Sequence, residues 1–277
     1  MNKSKTMIIV AFIIGLILIL FIIGKINLSI KFDSAVKELF SQSKDISNKR
    51  YSQTQLDGLP EPIQRYFNYI LKDGQSYISY ARIKHDGLFK ADLNKDWMNI
   101  TGEQYATTEK PGFIWKGTTQ MFVARDMYIS DHGRLIVTLL SLFNIVDSKG
   151  KEKYDSGELL RWLGESILYP THFLPSERVQ WLPINSSQAK LVFNYNGLSL
   201  FFIVTVNEIG EITEMETKRF MGEDGLETWV IKASNYKSMN HILVPTSFDV
   251  LWRLEKGDFS YAKFNITEIE YNVPKKF

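Results

Sequence analysis

The chain has 277 residues with 33 basic and 31 acidic side chains, a formal net charge of +2, too near balance for the strong positive field that nucleic-acid binding uses. It has no cysteine, which removes disulfides, thiolate catalysis, thiol-ligated zinc and a lipobox lipid anchor. An aromatic content of 13%, spread along the sequence, favours pleated sheet over helix bundle, because flat rings pack well on a pleated surface.

Residues 7–23 form a nearly unbroken apolar run, preceded by Lys3 and Lys5 and followed by Lys25. A spanning helix needs about 20 apolar residues, within a range of roughly 17–25, so the run is long enough. The stretch Gly24-Lys25-Ile26-Asn27-Leu28 offers no small-residue cleavage site, which points to an uncleaved anchor rather than a signal peptide. Lysines flank both sides, and the N-terminal amine tips the N-terminus inwards, which leaves the rest of the chain outside the cytoplasm. Phe32, Val36, Leu39 and Phe40 then recur at helical spacing, and 47–58 is polar. The expected organisation is a membrane anchor over 1–30, a juxtamembrane helix and linker over 31–58, and one β-rich extracytoplasmic domain over 59–277.

Pro60 and Pro62 suit the first turn of a helix whose stripe of Ile63, Tyr66, Phe67, Ile70 and Leu71 packs on a sheet. Strand-like segments follow at 77–90, 97–108, 113–123, 125–129 and 134–145, separated by turn residues such as Pro111-Gly112 and Ser130-Asp131-His132-Gly133. Within them 135–146 is the most apolar stretch outside the anchor, either a buried strand or a surface that grips something hydrophobic. Over 155–175 the period changes to that of a helix. Leu159, Leu160, Leu163 and Ile167 fall on one side, Glu158, Arg161 and Glu165 on the other, and Trp162 at the border. Ser156 is the expected N-cap and Pro170 the stop.

Strand signals resume at 178–183, 189–195, 198–207, 211–220, 227–236, 242–254 and 261–271. Turns at Asn196-Gly197, Glu208-Ile209-Gly210, Glu223-Asp224-Gly225 and Glu255-Lys256-Gly257-Asp258 punctuate them. About a dozen short strands exceed what a flat open sheet holds, roughly 10. The fold class is therefore α+β, a mostly antiparallel, curved, half-barrel-like sheet with a few helices in its mouth, preceded by one transmembrane helix.

Several stretches together resemble an uncharacterised bacterial domain-of-unknown-function family from about Leu59 to the C-terminus. They are Leu59-Pro60-Glu61-Pro62 with Arg65-Tyr66, Pro111-Gly112-Phe113-Ile114-Trp115, Arg125-Asp126, Gly157-Glu158-Leu159-Leu160-Arg161-Trp162-Leu163 and Phe173-Leu174-Pro175. That resemblance implies no activity. The layout is similar to the lipoprotein-carrier half-barrels of the LolA and LolB type, which hold acyl chains in an apolar concavity, an analogy of architecture.

His85, His132, His172 and His241 are scattered without ligand spacing, and no nucleophile elbow, P-loop or dinucleotide loop is present. No metal, cofactor or catalytic residue is assigned. Glu158, Arg161 and Glu165 form either a solvated, salt-bridged helix face or the lining of a pocket mouth that orients a polar head group. Asp126 could pair with His132 if a hairpin joined them, although turn and edge roles fit both. Trp115, Trp162, Trp181, Tyr169 and Phe173 suit a hydrophobic cavity or ordinary core. The resulting expectation is a membrane-anchored cell-envelope binding module holding a lipid or other apolar small molecule. Its candidate ligand-binding residues are Trp115, Asp126, Glu158, Leu160, Arg161, Trp162, Leu163 and Phe173. The alternatives are a hydrolase using Asp126, Glu158, Arg161 and a histidine, or an envelope module that binds a protein not identified by sequence.

Overall fold

The computed structural model describes residues 3–222 and 225–277; Glu223 and Asp224 of the expected 223–225 turn, and residues 1 and 2 of the anchor, lie outside them. Strands β1 (Tyr80–Phe89), β2 (Met98–Thr107), β3 (Gly112–Thr118), β4 (Phe122–Ile129), β5 (His132–Leu139) and β6 (Phe143–Lys149) form a first meander. A second contains β7 (Val179–Pro183), β8 (Gln188–Tyr195), β9 (Leu198–Val206), β10 (Ile212–Met221), β11 (Gly225–Met239), β12 (Ile242–Leu254) and β13 (Gly257–Tyr271). Antiparallel pairing of β1 with β13 joins the two arms into one 13-stranded sheet, with β6 and β7 as its edges.

The sheet is curved and unclosed, and the chain crosses from one edge to the other through α3 (Glu152–Glu165). This helix lies against β3 to β6 of one arm and β9 and β10 of the other. Leu159, Leu160, Trp162 and Leu163 are all buried, so α3 fills the concave side rather than resting one face on it. Close approach depends on Gly164, where a Cβ would lie 2.5 Å from Cδ1 of Ile231 and 3.1 Å from the Phe202 ring. Helix α2 (Glu61–Ile70) adds Ile63, Tyr66, Phe67 and Ile70 to the same core, with Pro62 in its first turn as its missing N–H permits.

Helix α1 (Lys3–Ser41) runs unbroken for 39 residues. Its apolar part is bare, whereas Phe32, Val36, Leu39 and Phe40 are sealed against Tyr80, Tyr105 and Ile114. Those three alternate along their strands with inward-facing Ala81, Ala106 and Phe113, so α1 occupies the convex face, opposite α3. The contact is pinned where Gln42 Nε2 donates to Ser130 Oγ at 2.6 Å and where Lys276 Nζ pairs with Asp33 at 2.6 Å. Residues 31–41, expected as a juxtamembrane helix, are thus docked on the sheet. In the polar segment after it, Tyr51 and Leu56 are buried in the main core.

Three expectations need correction. The run 113–123 contains a turn, in which Thr119 Oγ1 accepts from the Phe122 N–H at 3.1 Å. The apolar run 134–145 is a hairpin that reverses at 140–142, where Leu140 and Ser141 have φ of 49° and 60°. Ser156 lies inside α3, its hydroxyl on the Lys153 carbonyl at 3.3 Å, because the helix begins earlier, after Lys151.

Wedging of α3 makes two substitutions informative. Leu163→Ala is expected to cost about 2–5 kcal/mol through the cavity it leaves, and Gly164→Leu about 1–3 kcal/mol through overpacking. Guanidinium unfolding of the full chain in mild detergent, followed by tryptophan fluorescence, measures both; unchanged midpoints would mean that α3 is not wedged.

Candidate functional site

The polar side of α3 faces inwards. Arg161 Nη1 donates to Asp126 Oδ2 on β4, and its Nε donates to Glu165 Oε1 at 2.9 Å. Glu165 Oε2 in turn accepts from Gln104 Nε2 on β2 at 2.8 Å. The guanidinium of Arg161 lies over Trp115 at 4.7 Å and Phe113 at 5.1 Å, favourable places for a delocalised cation. One turn earlier Glu158 reaches the other arm, where Arg219 Nη2 on β10 donates to its Oε1 at 3.4 Å. Arg219 lies over Trp229 at 4.6 Å, and Trp229 Nε1 donates to the Tyr261 hydroxyl at 3.0 Å.

Burial, followed by the neighbouring Asp126, pushes the Glu158 carboxyl well above the usual carboxylate range. Arg219 and Arg161 pull the other way, but a 3.4 Å contact does not offset the lost hydration. A neutral Glu158 can donate to Asp126; with both ionised, Glu158 Oε2 and Asp126 Oδ1 are buried without a partner. Arg161 loses hydration too, yet Glu165 and Asp126 more than compensate and hold it charged.

The structure brings Trp115, Asp126, Glu158 and Arg161 together. Leu160, Trp162, Leu163 and Phe173 are elsewhere, in packed core. Trp162 is held by its Nε1–H on the Thr107 carbonyl at 2.9 Å and by the rings of His172 and Phe193, and Phe173 packs on Trp181. Asp126 and His132 do not meet: Asp126 is opposite Leu135, and His132 lies 3.6 Å from Asp155. His85 accepts from Trp115 Nε1 at 2.8 Å, and burial lowers its pKa to about 4. His172 is lowered to about 3 by burial and then by Arg178. Neither is a proton carrier near neutral pH. Among the described residues no cluster of three or more histidine or carboxylate side chains could hold a metal ion.

Arg219, Trp229 and Tyr261 were not singled out from the sequence. The readable signal was alternation on β10, where Met215 and Thr217 point inwards and Arg219 follows in phase. Beyond the ionic cluster the inner face continues with Phe89, Phe122, Val137, Leu254 and Tyr261, which are only partly buried. Two surface clefts, of about 440 Å³ beside Gly74 and about 400 Å³ beside Arg178, include none of the clustered residues.

A raised carboxyl pKa means that the folded chain holds a proton the unfolded chain releases, so stability falls as pH rises above the ordinary value of 4.5. The two lowered histidines act oppositely, but only below their ordinary 6.5. Glu158→Gln, which fixes the neutral form, is expected to gain stability over the wild type increasingly as pH rises from 4.5. Chemical unfolding at a series of pH values tests this; a gain confined to acid pH would contradict it.

No curated protein matches the sequence. Among solved structures, a LolA superfamily protein from Nitrosomonas europaea is 8% identical with a TM-score of 0.43, over 76% of this chain and 92% of that one. A domain described as an outer membrane lipoprotein-sorting protein, from Vibrio parahaemolyticus, is 10% identical with a TM-score of 0.43, over 72% and 87%. A DUF1329 family protein from Desulfovibrio piger is 10% identical with a TM-score of 0.35, over 87% and 93%. Scores this low carry no statement about function. The family match is of a different order, running over residues 49–264 from the segment before α2 into β13, and by it the chain belongs to the Family of unknown function (DUF6544).

Proposed function

We propose that the protein is a membrane-anchored envelope binding module that holds an amphipathic ligand, with an acyl or similar apolar tail, on the part of the curved sheet that α3 leaves uncovered. The observation that carries the reading is the adjacency of two surfaces on one concave face. Asp126, Glu158, Arg161 and Arg219 offer polar contacts at the edge of α3, with side chains 9–14% exposed. Phe89, Phe122, Val137, Leu254 and Tyr261 continue from there as a partly buried apolar lining. A ligand with a polar end and an apolar tail matches both, and burial of its tail supplies roughly 25 cal/mol per Å².

The anchor is supported by α1, which is long and apolar enough to cross a membrane. Its apolar run continues without a break into the residues that pack on the convex face, so cleavage after the run would cut a helix the domain uses. The paired carboxyls also favour a second reading, acid–base hydrolysis. That reading lacks a histidine at the cluster, since His85 is committed to Trp115, His132 lies beside Asp155, His172 packs on Trp162 and His241 lies in the β11–β12 turn.

A photoactivatable fatty acid added to the full chain in vesicles tests the first reading. Crosslinks are expected on the inner-face residues Phe122 and Tyr261 as well as on α1, and Phe122→Asp should abolish those on the inner face. Crosslinks confined to α1 would overturn the binding site.

A further inference from the structure

We infer that the β5–β6 hairpin and the neighbouring β3–β4 turn dock into the outer leaflet of the membrane that α1 spans, so that the rim of the half-barrel rests on lipid. The inference rests on the anchor reading above and adds a second, non-helical membrane contact.

Pairing places six hairpins, β5–β6, β3–β4, β1–β2, β12–β13, β10–β11 and β8–β9, side by side at one end of the sheet. Among the described residues, nine of the thirteen exposed large apolar side chains outside α1 lie in or beside these turns, Met121, Leu140, Leu142, Phe143 and Ile145 among them. Isolated apolar side chains on a surface are ordinary, whereas a concentrated patch marks an interaction site.

The hairpin tip is built against local preference. A turn with φ of 49° and 60° favours Asn, Asp or Gly, yet this chain places Leu140 and Ser141 there. Backbone strain that holds an exposed leucine outwards points to a use for that leucine.

What covers the patch follows from α1. The helix passes Ser130 at Gln42, descends the convex face, and meets the β5–β6 turn at Gly24, where a Cβ would lie 2.4 Å from the Ser141 carbonyl oxygen and 2.9 Å from Leu142. From Met7 to Gly24 the helix rises about 26 Å at ~1.5 Å per residue, close to the ~30 Å of a hydrocarbon core. Lys25, immediately above, suits the head-group level. The tip therefore sits at the depth where acyl chains meet head groups. Trp97, at the β1–β2 end of the same rim, has Lys90 and Lys263 each 5.3 Å from its ring, a pairing suited to that boundary.

Because the chain has no cysteine, single labelling sites can be introduced cleanly. Full-length Phe143→Cys, Ile17→Cys and Ile209→Cys, each carrying a nitrobenzoxadiazole dye, would be reconstituted into vesicles of phosphatidylethanolamine and phosphatidylglycerol containing nitroxide-labelled lipid. Phe143 and Ile209 are comparably exposed, at 63% and 59%, but Ile209 lies in the β9–β10 turn beside α2. Strong lipid quenching is expected at positions 17 and 143, with weak aqueous iodide quenching, and the reverse at 209. Quenching at 17 with position 143 behaving like 209 would overturn the docking and leave the anchor intact. Loss of quenching at 17 would overturn the anchor and the docking together.

Discussion

An open sheet of 13 strands has a concave face too wide to bury itself, and one helix fills it. α3 leaves the β6 edge, runs through the concavity and delivers the chain to the β7 edge. Its apolar residues fill the space between the arms, each large buried side chain stabilising by about 1.5–3 kcal/mol. Its polar residues tie it to β4 and β2 through Arg161 and Glu165 and to β10 through Glu158. The curvature of the sheet, the position of the ionic cluster and the extent of uncovered inner face all follow from where α3 lies.

The ionic contacts contribute little net stability, because desolvation of buried charges largely offsets their attraction. Their effect is on alignment. A one-turn displacement of α3 would leave Arg161 buried without Asp126 and Glu165 without Gln104, at a cost of several kcal/mol, whereas Leu159, Leu160 and Leu163 would tolerate many neighbouring positions. Apolar contacts thus set how firmly the helix is held, and Arg161 sets where. Glu158 is the strained member: its proton is retained because neither guanidinium replaces the water it has lost.

The strand count, the antiparallel order and the central helix were legible because hairpin chemistry is local: Asn196-Gly197 and Gly257 announce their turns in residue type. The turns at 119–121 and 140–142 were not, since Thr119-Gln120-Met121 and Leu140-Ser141-Leu142 carry no glycine, proline or asparagine. Of the site, Glu158, Arg161, Asp126 and Trp115 were legible as charged and aromatic residues in unusual stretches. The facing of α3 stayed open between a solvated face and a pocket lining, because hydrophobic periodicity does not show what the polar side meets, and here it meets both arms of the sheet. Arg219 went unremarked for the same reason: a lone arginine in a polar strand reads as surface until its partner across the fold is known.

Continuity of α1 converts a sequence feature into an orientation. A flexible tether would let the domain turn freely, but Phe32, Val36, Leu39 and Phe40 fasten the helix along the convex face, and Phe277 and Lys276 close over it from the C-terminus. The direction in which α1 leaves the domain is therefore the direction of the hairpin rim, and the partly buried lining of Phe89, Phe122 and Val137 opens toward that same end. Each methylene moved from a bilayer into water costs about 0.8 kcal/mol, so an acyl chain that had to cross bulk solvent would rarely reach a binding surface. With the rim seated on lipid, the tail would pass from one apolar surroundings to another, and the fixed helix, rather than affinity alone, would set how readily the inner face is filled.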